Sequence, residues 1–277
     1  MKSLMSELLS ESMGKKPKKG SWAVEVEAEF KTPFTSAIPE GWVAHNEPSL
    51  RGHGIEFVNK GPVEKEKLFQ LLDELFAKRE FLEEYIDSPR ASIHVHQNIE
   101  SWGFDELIKY MLLYYFIEPV LWRLAGEQRS GNIFCLDATR ASNVISDLKL
   151  LFKKDWNGLH NAFDRIKYAS LNFGCITKFG SLEYRQLEGT NNADRIKQWV
   201  NVLEKIKMFA FQFDTIQDVW KQICADNRGT IIAATGLVPT VHEQDMHYSF
   251  CFLFYNEYLN SLKKNNSYYH FEQKEIE

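Results

Sequence analysis

Several segments of the chain alternate apolar and polar residues with a period of two. In "AVEVEAEF" (23–30), Val24, Val26, Ala28 and Phe30 interleave with Glu25, Glu27 and Glu29. In "ASIHVHQNI" (91–99), Ile93 and Val95 share one face while His94 and His96 share the other. "GSLEYRQLEG" (180–189) sets Leu182 and Tyr184 against Glu183 and Arg185. Each pattern predicts a strand with one apolar face. Residues 41–62 are rich in turn formers and read as two short strands around a loop, the second being "GIEFV".

Between these segments the period changes. Leu68, Leu71, Leu72, Leu75 and Phe76 recur at helical spacing and predict a helix across 63–85. A long apolar helix is predicted over about 104–125, bent at Pro119, where a backbone donor is missing. Residues 141–167 read as mostly helical and "YASLNFG" (168–174) as short and extended. Asn191 and Asn192 cap a helical series running to about 227, followed by "ATGLVPT" and one more helix; the end, "YYHFEQKEIE", reads as a partly ordered tail. Short turns join the early strands, so the predicted fold is α+β, with a largely antiparallel sheet covered on one face by helices. The expected division is a flexible basic leader at 1–20 around "KKPKK", a main domain at 21–228, and a helical extension at 229–277 packed on it.

Composition narrows the functional classes. The 277 residues are 44% hydrophobic and 26% charged, enough for a substantial core. A net charge of −5 offers no general attraction to nucleic acid or anionic membranes. Cys135, Cys175, Cys224 and Cys251 are scattered without a CxxC pair, as in reduced cytosolic proteins. The longest apolar stretch, "YMLLYYFIEPVLW", is too short for a bilayer, and the N-terminus lacks signal-peptide order. A soluble cytoplasmic protein is expected.

The polar faces carry the candidate chemistry. Residues i and i+2 of a strand share a face roughly 6–7 Å apart. Two carboxylates at that spacing repel by about 2 kcal/mol at an effective dielectric of 20. A solvated edge strand tolerates this, whereas a concave face needs cations between the acids. The pattern repeats in Glu25 and Glu27, in His94 and His96, and in Glu183 and Arg185, with His53 or Glu56 adding to it. A shared polar cavity floor follows. Carboxylates with one or two imidazoles suit Mg²⁺ or Mn²⁺ better than zinc. An arginine beside such a group suits a phosphate. Neither GxxxxGK[ST] nor GxGxxG occurs, so a nucleotide here would be held by metals and sheet residues.

In order, "AVEVEAEF", "NEPSLRGHGIEFVNKGP", "IHVHQN", "RSGNIFC", "SLN" and "SLEYRQLEGT" resemble the amidoligases, which are similar to glutamine synthetase and glutamate–cysteine ligase. The resemblance covers about residues 22–210 and implies a curved sheet of the glutamine-synthetase kind. It implies metal ligation by Glu25, Glu27, Glu56, His94 and Glu183, and phosphate-directed roles for His96 and Arg185. It places Arg129 and Asn172 near substrate or nucleotide. The chain departs from the family pattern at Ala23 and Ser92, where Gly is usual, and at Glu47, where Asp is usual. A third acid of one glutamine synthetase metal site has no counterpart. The implied activity is ATP-dependent amide-bond formation between a carboxylate and an amine, small molecules or peptides, with Mg²⁺ or Mn²⁺. The alternatives are an inactive metal- or nucleotide-binding or assembly protein of the same fold, and a metal-dependent hydrolase.

Overall fold

The computed structural model describes residues 4–126, 129, 131–141 and 143–272. Its centre is an open seven-stranded sheet. The strands are β1 (Trp22–Phe30), β2 (Trp42–Asn46), β3 (His53–Asn59), β4 (Tyr85–Ile86), β5 (Ile93–Asn98), β6 (Leu171–Asn172) and β7 (Ser181–Tyr184). They lie in the order β2-β3-β1-β5-β7-β6, with β4 pairing to the end of β1. Every pairing among these strands is antiparallel. The α+β fold expected from the sequence is the fold observed.

One sheet face is largely apolar, with Gln97 buried in it and hydrogen-bonded to Tyr184 Oη. Trp22, Val24, Val26, Ala28 and Phe30 of β1 are buried, as are Phe57, Ile93, Val95, Leu182 and Tyr184 of its neighbours. Helices α2 (Lys65–Phe76) and α3 (Phe104–Ala125) cover this face. Trp42 donates from Nε1 to Leu71 O at 3.1 Å, joining β2 to α2, and Tyr184 donates to Tyr110 Oη at 2.6 Å, joining β7 to α3. Because α3 is enclosed on nearly all sides, even its Lys109 and Glu118 are buried. Lys109 Nζ donates to Phe213 O, and Glu118 accepts from Ala138 N, so both groups are satisfied.

The remaining helices complete the outer layers. Helices α4 (Val144–Phe152), α5 (Trp156–Asn161) and α6 (Phe163–Ile166) fill the stretch expected to be helical. A short α7 (Cys175–Phe179) turns the chain into β7. Helix α8 (Ala193–Ala210) starts at Asn192, whose Oδ1 accepts from Asp194 N. Helices α9 (Ile216–Ala225), α10 (Asn227–Thr235), α11 (Val241–Asp245) and α12 (Tyr248–Glu272) follow, with α10 against α8 and α9, and α12 against α3 and α4. The last five residues of the expected tail lie outside the described residues. No helix among the described residues is long and apolar enough to cross a membrane.

Three expectations are corrected. The helix predicted to Tyr85 ends at Phe76, and Glu80–Glu84 form a π-helical turn. That turn points Glu80 inward, where it accepts from the backbone N–H and hydroxyl groups of both Thr35 and Ser36. The alternating stretch 180–189 contributes only four strand residues. The leader is not a free tail: Met5–Met13 form helix α1, Met5 N donates to Trp102 O, and Met5 and Leu9 are fully buried. A two-turn helix has little stability of its own, so burial of its apolar side chains must hold it in place. Leu9→Ala is therefore expected to lower unfolding free energy by about 2–4 kcal/mol in urea denaturation; an unchanged midpoint would mean that α1 is not docked.

Candidate active site

The antiparallel register assembles the site. Across the β1–β3 pair Glu27 stands opposite Glu56, and across the β1–β5 pair Glu25 stands opposite His94. His96 of β5 then faces Glu183 of β7, which in turn faces Asn172 of β6. Polar groups from five adjacent strands thus occupy one continuous row on the face opposite the helices. A slip of one residue in any pairing would turn that strand's polar set into the core, so the apolar face enforces the register.

The side chains close on one another. His94 Nδ1 lies 3.0 Å from Glu25 Oε2 and 3.6 Å from Glu183 Oε1. Its Nε2 lies 2.9 Å from Ser92 Oγ, and Ser92 donates to Glu27 Oε2 at 2.6 Å. With the Ser92 proton committed to Glu27, the imidazole donates from Nε2 to Ser92. A proton on Nδ1 makes the ring a donor to Glu25; without that proton, Nδ1 presents a lone pair to two carboxylate oxygens. Three acceptors facing one another require a proton or a cation between them.

Glu183 is the most constrained acid. Its Oε2 accepts from Asn172 Nδ2 at 2.6 Å and from Cys175 Sγ at 3.2 Å, while Oε1 accepts from Arg185 Nη1 at 2.5 Å. Arg129 Nη2 donates to Arg185 O at 3.2 Å, bringing a second guanidinium, itself buried, alongside the half-buried Arg185. Asn172 and Arg129 therefore join the cluster through Glu183 and Arg185. Glu29, the third acid of β1, does not: it is buried and accepts from Arg51 N at 2.9 Å. His53 pairs with Phe30 at the far end of β1 and is exposed.

The electrostatics divide the acids. Burial raises the Glu25 pKa, but the hydrogen bond with His94 and the charges of His96 and His94 outweigh it and hold the carboxyl well below the usual range. Burial also works against Glu183, where Arg185, His96 and His94 prevail and keep it ionised. His96 is opposed by burial yet shifted upward by Glu25 and Glu183. Glu56 goes the other way. Burial, together with the charges of Glu25, Glu27 and Glu47, pushes it up to about 7. Like charges directly opposite on a sheet are destabilising, and Glu27 and Glu56 are such a pair.

Among the described residues, two groupings have the spacing of a cation site. Glu25, His94 and Glu183 offer ligand atoms within 4.8 Å of one another, as do Glu27, Glu56 and His94. One neutral imidazole has one lone pair, so His94 can serve only one of them at a time. His94 Nδ1 points to the first. His96 Nε2 is buried 3.3 Å from Glu25 Oε1, an ion-pair distance, and makes no aligned hydrogen bond among the described residues. Oxygen donors with a single imidazole, and a spare imidazole nitrogen beside them, fit a hard divalent ion with anionic ligands.

Alternation alone does not single out Ser92 and Ser181, though both follow from it. Each lies two residues before a site residue and so on the same face. Ser181 Oγ is 3.2 Å from His96 Nδ1 and orients that ring. Cys175 has no such signal, because it reaches Glu183 from α7. Beside Glu25 and His96 opens a cavity of about 140 Å³, with Ala23, Val58, Pro62 and Phe179 in its walls.

Comparison with curated proteins finds no match. The family described as "putative amidoligase enzyme" matches residues 61–207, just over half of the chain. That segment holds β5, β6 and β7 with His94, His96, Arg129, Asn172, Glu183 and Arg185; Glu25, Glu27 and Glu56 reach the same row by strand pairing. The chain belongs to the amidoligase family.

Proposed function

We propose that the protein is an ATP-dependent ligase that joins a carboxylate to an amine through an acyl phosphate, using Mg²⁺ or Mn²⁺. One observation carries this reading: Glu25, His94 and Glu183, from three neighbouring strands, converge within 4.8 Å while Arg185 binds the same Glu183 carboxylate. In this reading Glu25, His94 and Glu183 hold one ion, and Glu27 and Glu56 contribute to a second. Bound there, divalent ions would offset charge on the phosphate oxygens and orient the phosphate being transferred.

Condensing a carboxylate with an amine is unfavourable in water, so the carboxylate must be activated. Its oxygen attacks the γ-phosphorus of the nucleotide. A bond from oxygen to phosphorus forms as the bond to the ADP oxygen breaks. The amine nitrogen then attacks the carbonyl carbon, inorganic phosphate leaves, and the nitrogen loses a proton. Arg185 would hold oxygens of the transferred group in a bidentate grip, with a protonated His96 donating from Nε2. Donors in this buried, fixed arrangement need little reorganisation during reaction. Cys175 is not a nucleophile here: burial and the Glu183 charge push its thiol pKa well up. The rest of the nucleotide, beyond the transferred phosphate, would occupy the adjoining cavity.

Glu183 has three side-chain partners, so truncation to Ala would strand Asn172 and Arg185 and cost stability as well as activity. Glu183→Gln keeps the shape and removes the charge. In an ADP-release screen over amino acids, peptides and polyamines with Mg²⁺ or Mn²⁺, the wild type is expected to sustain ADP release over many turnovers only when carboxylate and amine are both present. Glu183→Gln is expected to lose about a hundredfold or more, with its melting transition retained. Full turnover in this variant, or product formation without ATP, would remove the ligase reading.

The raised pKa of Glu56 has its own consequence. Between the ordinary glutamate value of 4.5 and about 7 the folded protein binds this proton more tightly than the unfolded chain. Its contribution to stability is therefore present at low pH and lost as pH rises through that window. A cation must displace the same proton. Mn²⁺ affinity measured by calorimetry is expected to rise from pH 6 to pH 8 with proton release, and Glu56→Gln should flatten this dependence. A pH-independent wild-type affinity would contradict the placement of Glu56 at a cation.

A further inference from the structure

The basic leader is not absorbed by the site described so far, and Lys18 falls outside the segment matched by the family. Yet Lys18 lines the cavity beside Glu25 and His96. The chain around it is fastened on both sides. Lys18 N donates to Glu100 Oε2 at 2.6 Å, and Asn98 Nδ2 donates to Lys18 O at 3.1 Å and Gly20 O at 2.8 Å. Further back, Lys15 Nζ donates to Lys178 O at 2.5 Å, at the end of α7. Gly20 has φ +89°, and a Cβ there would sit 2.3 Å from Pro62 O, so the strap lies directly against a cavity wall. The leader is thereby held as a rigid outer wall whose Lys18 side chain stays exposed.

The chemistry of the cavity fits one kind of ligand. Its inner surface combines the Phe179 ring with Pro62 and Val58, and its inner end is the acid–imidazole cluster. Lys18 Nζ stands 5.8 Å from the Phe179 ring centre. The neighbouring polar side chains are already engaged: Asn98 Nδ2 with the strap, its Oδ1 with Glu100 N, and Ser181 with His96. The cation in the cavity wall left to meet a ligand is the Lys18 ammonium. We propose that Lys18 is a nucleotide-binding residue, its ammonium pairing with phosphate oxygens of a nucleoside triphosphate whose body lies along Phe179. This rests on the proposed placement of the nucleotide in the cavity and adds a residue from outside the matched segment.

The test is titration of the full chain with AMPPNP and Mg²⁺ by calorimetry. Loss of one charge-assisted contact should weaken binding about tenfold in Lys18→Ala, and more in Lys18→Glu, while Lys18→Arg stays near wild type. Lys19→Ala, changing an exposed neighbour that does not line the cavity, should bind as the wild type does. Lys18 is exposed, so all variants should keep the wild-type melting transition, and this is measured alongside. Wild-type affinity in Lys18→Ala overturns this inference alone and leaves the ligase reading standing, as does equal weakening in Lys19→Ala, which would mark a general charge effect. Absence of AMPPNP binding to the wild type overturns both.

Discussion

The site depends on mutual repulsion among acids that the sheet does not allow to move apart. Backbone pairing fixes Glu27 opposite Glu56 and Glu25 opposite His94, and the packed apolar face prevents any slip that would relieve the contact. Histidines and Arg185 offset part of this charge, and Glu56 offsets more by holding its proton to about pH 7. What remains is a row of oxygen donors with a strong preference for added positive charge. The ligase chemistry proposed above would use that preference to hold cations.

The helical layer makes the arrangement possible. Trp22, Val24 and Val26 lie under the acids of β1, and the Tyr184–Tyr110 hydrogen bond ties the strand bearing Glu183 to α3. Removing a single buried aliphatic side chain typically costs about 2–5 kcal/mol, comparable to the repulsion between closely placed acids in a partly buried setting. The face that does no chemistry thus holds the other face in an unfavourable charge state. His96 and Glu183 sit in the same register pair, so their mutual stabilisation is a further product of strand alignment rather than of loop flexibility.

Much of this was legible in the sequence because strand alternation is a local property. Glu25, Glu27, His94, His96 and Glu183 declare their shared faces within a few residues each, and the six ordered motifs supply the family. The strand register is non-local. Nothing in "VEVE" or "HVH" says that Glu25 rather than Glu27 will face His94, and the two groupings follow only from that pairing. Glu29 was obscured for a related reason: it alternates like its neighbours, yet the chain at Arg51 folds over it. The leader was the largest gap. Its composition suggests solvation, while its place is set by backbone bonds to Trp102, Glu100 and Asn98, far away in sequence.

The claim that this face is built to hold divalent cations is tested most directly by anomalous diffraction from crystals grown with Mn²⁺. The account requires a manganese peak within direct ligand distance of Glu25, His94 Nδ1 and Glu183. Manganese bound elsewhere with that position empty, or three side chains engaged only with one another at saturating metal, would contradict it.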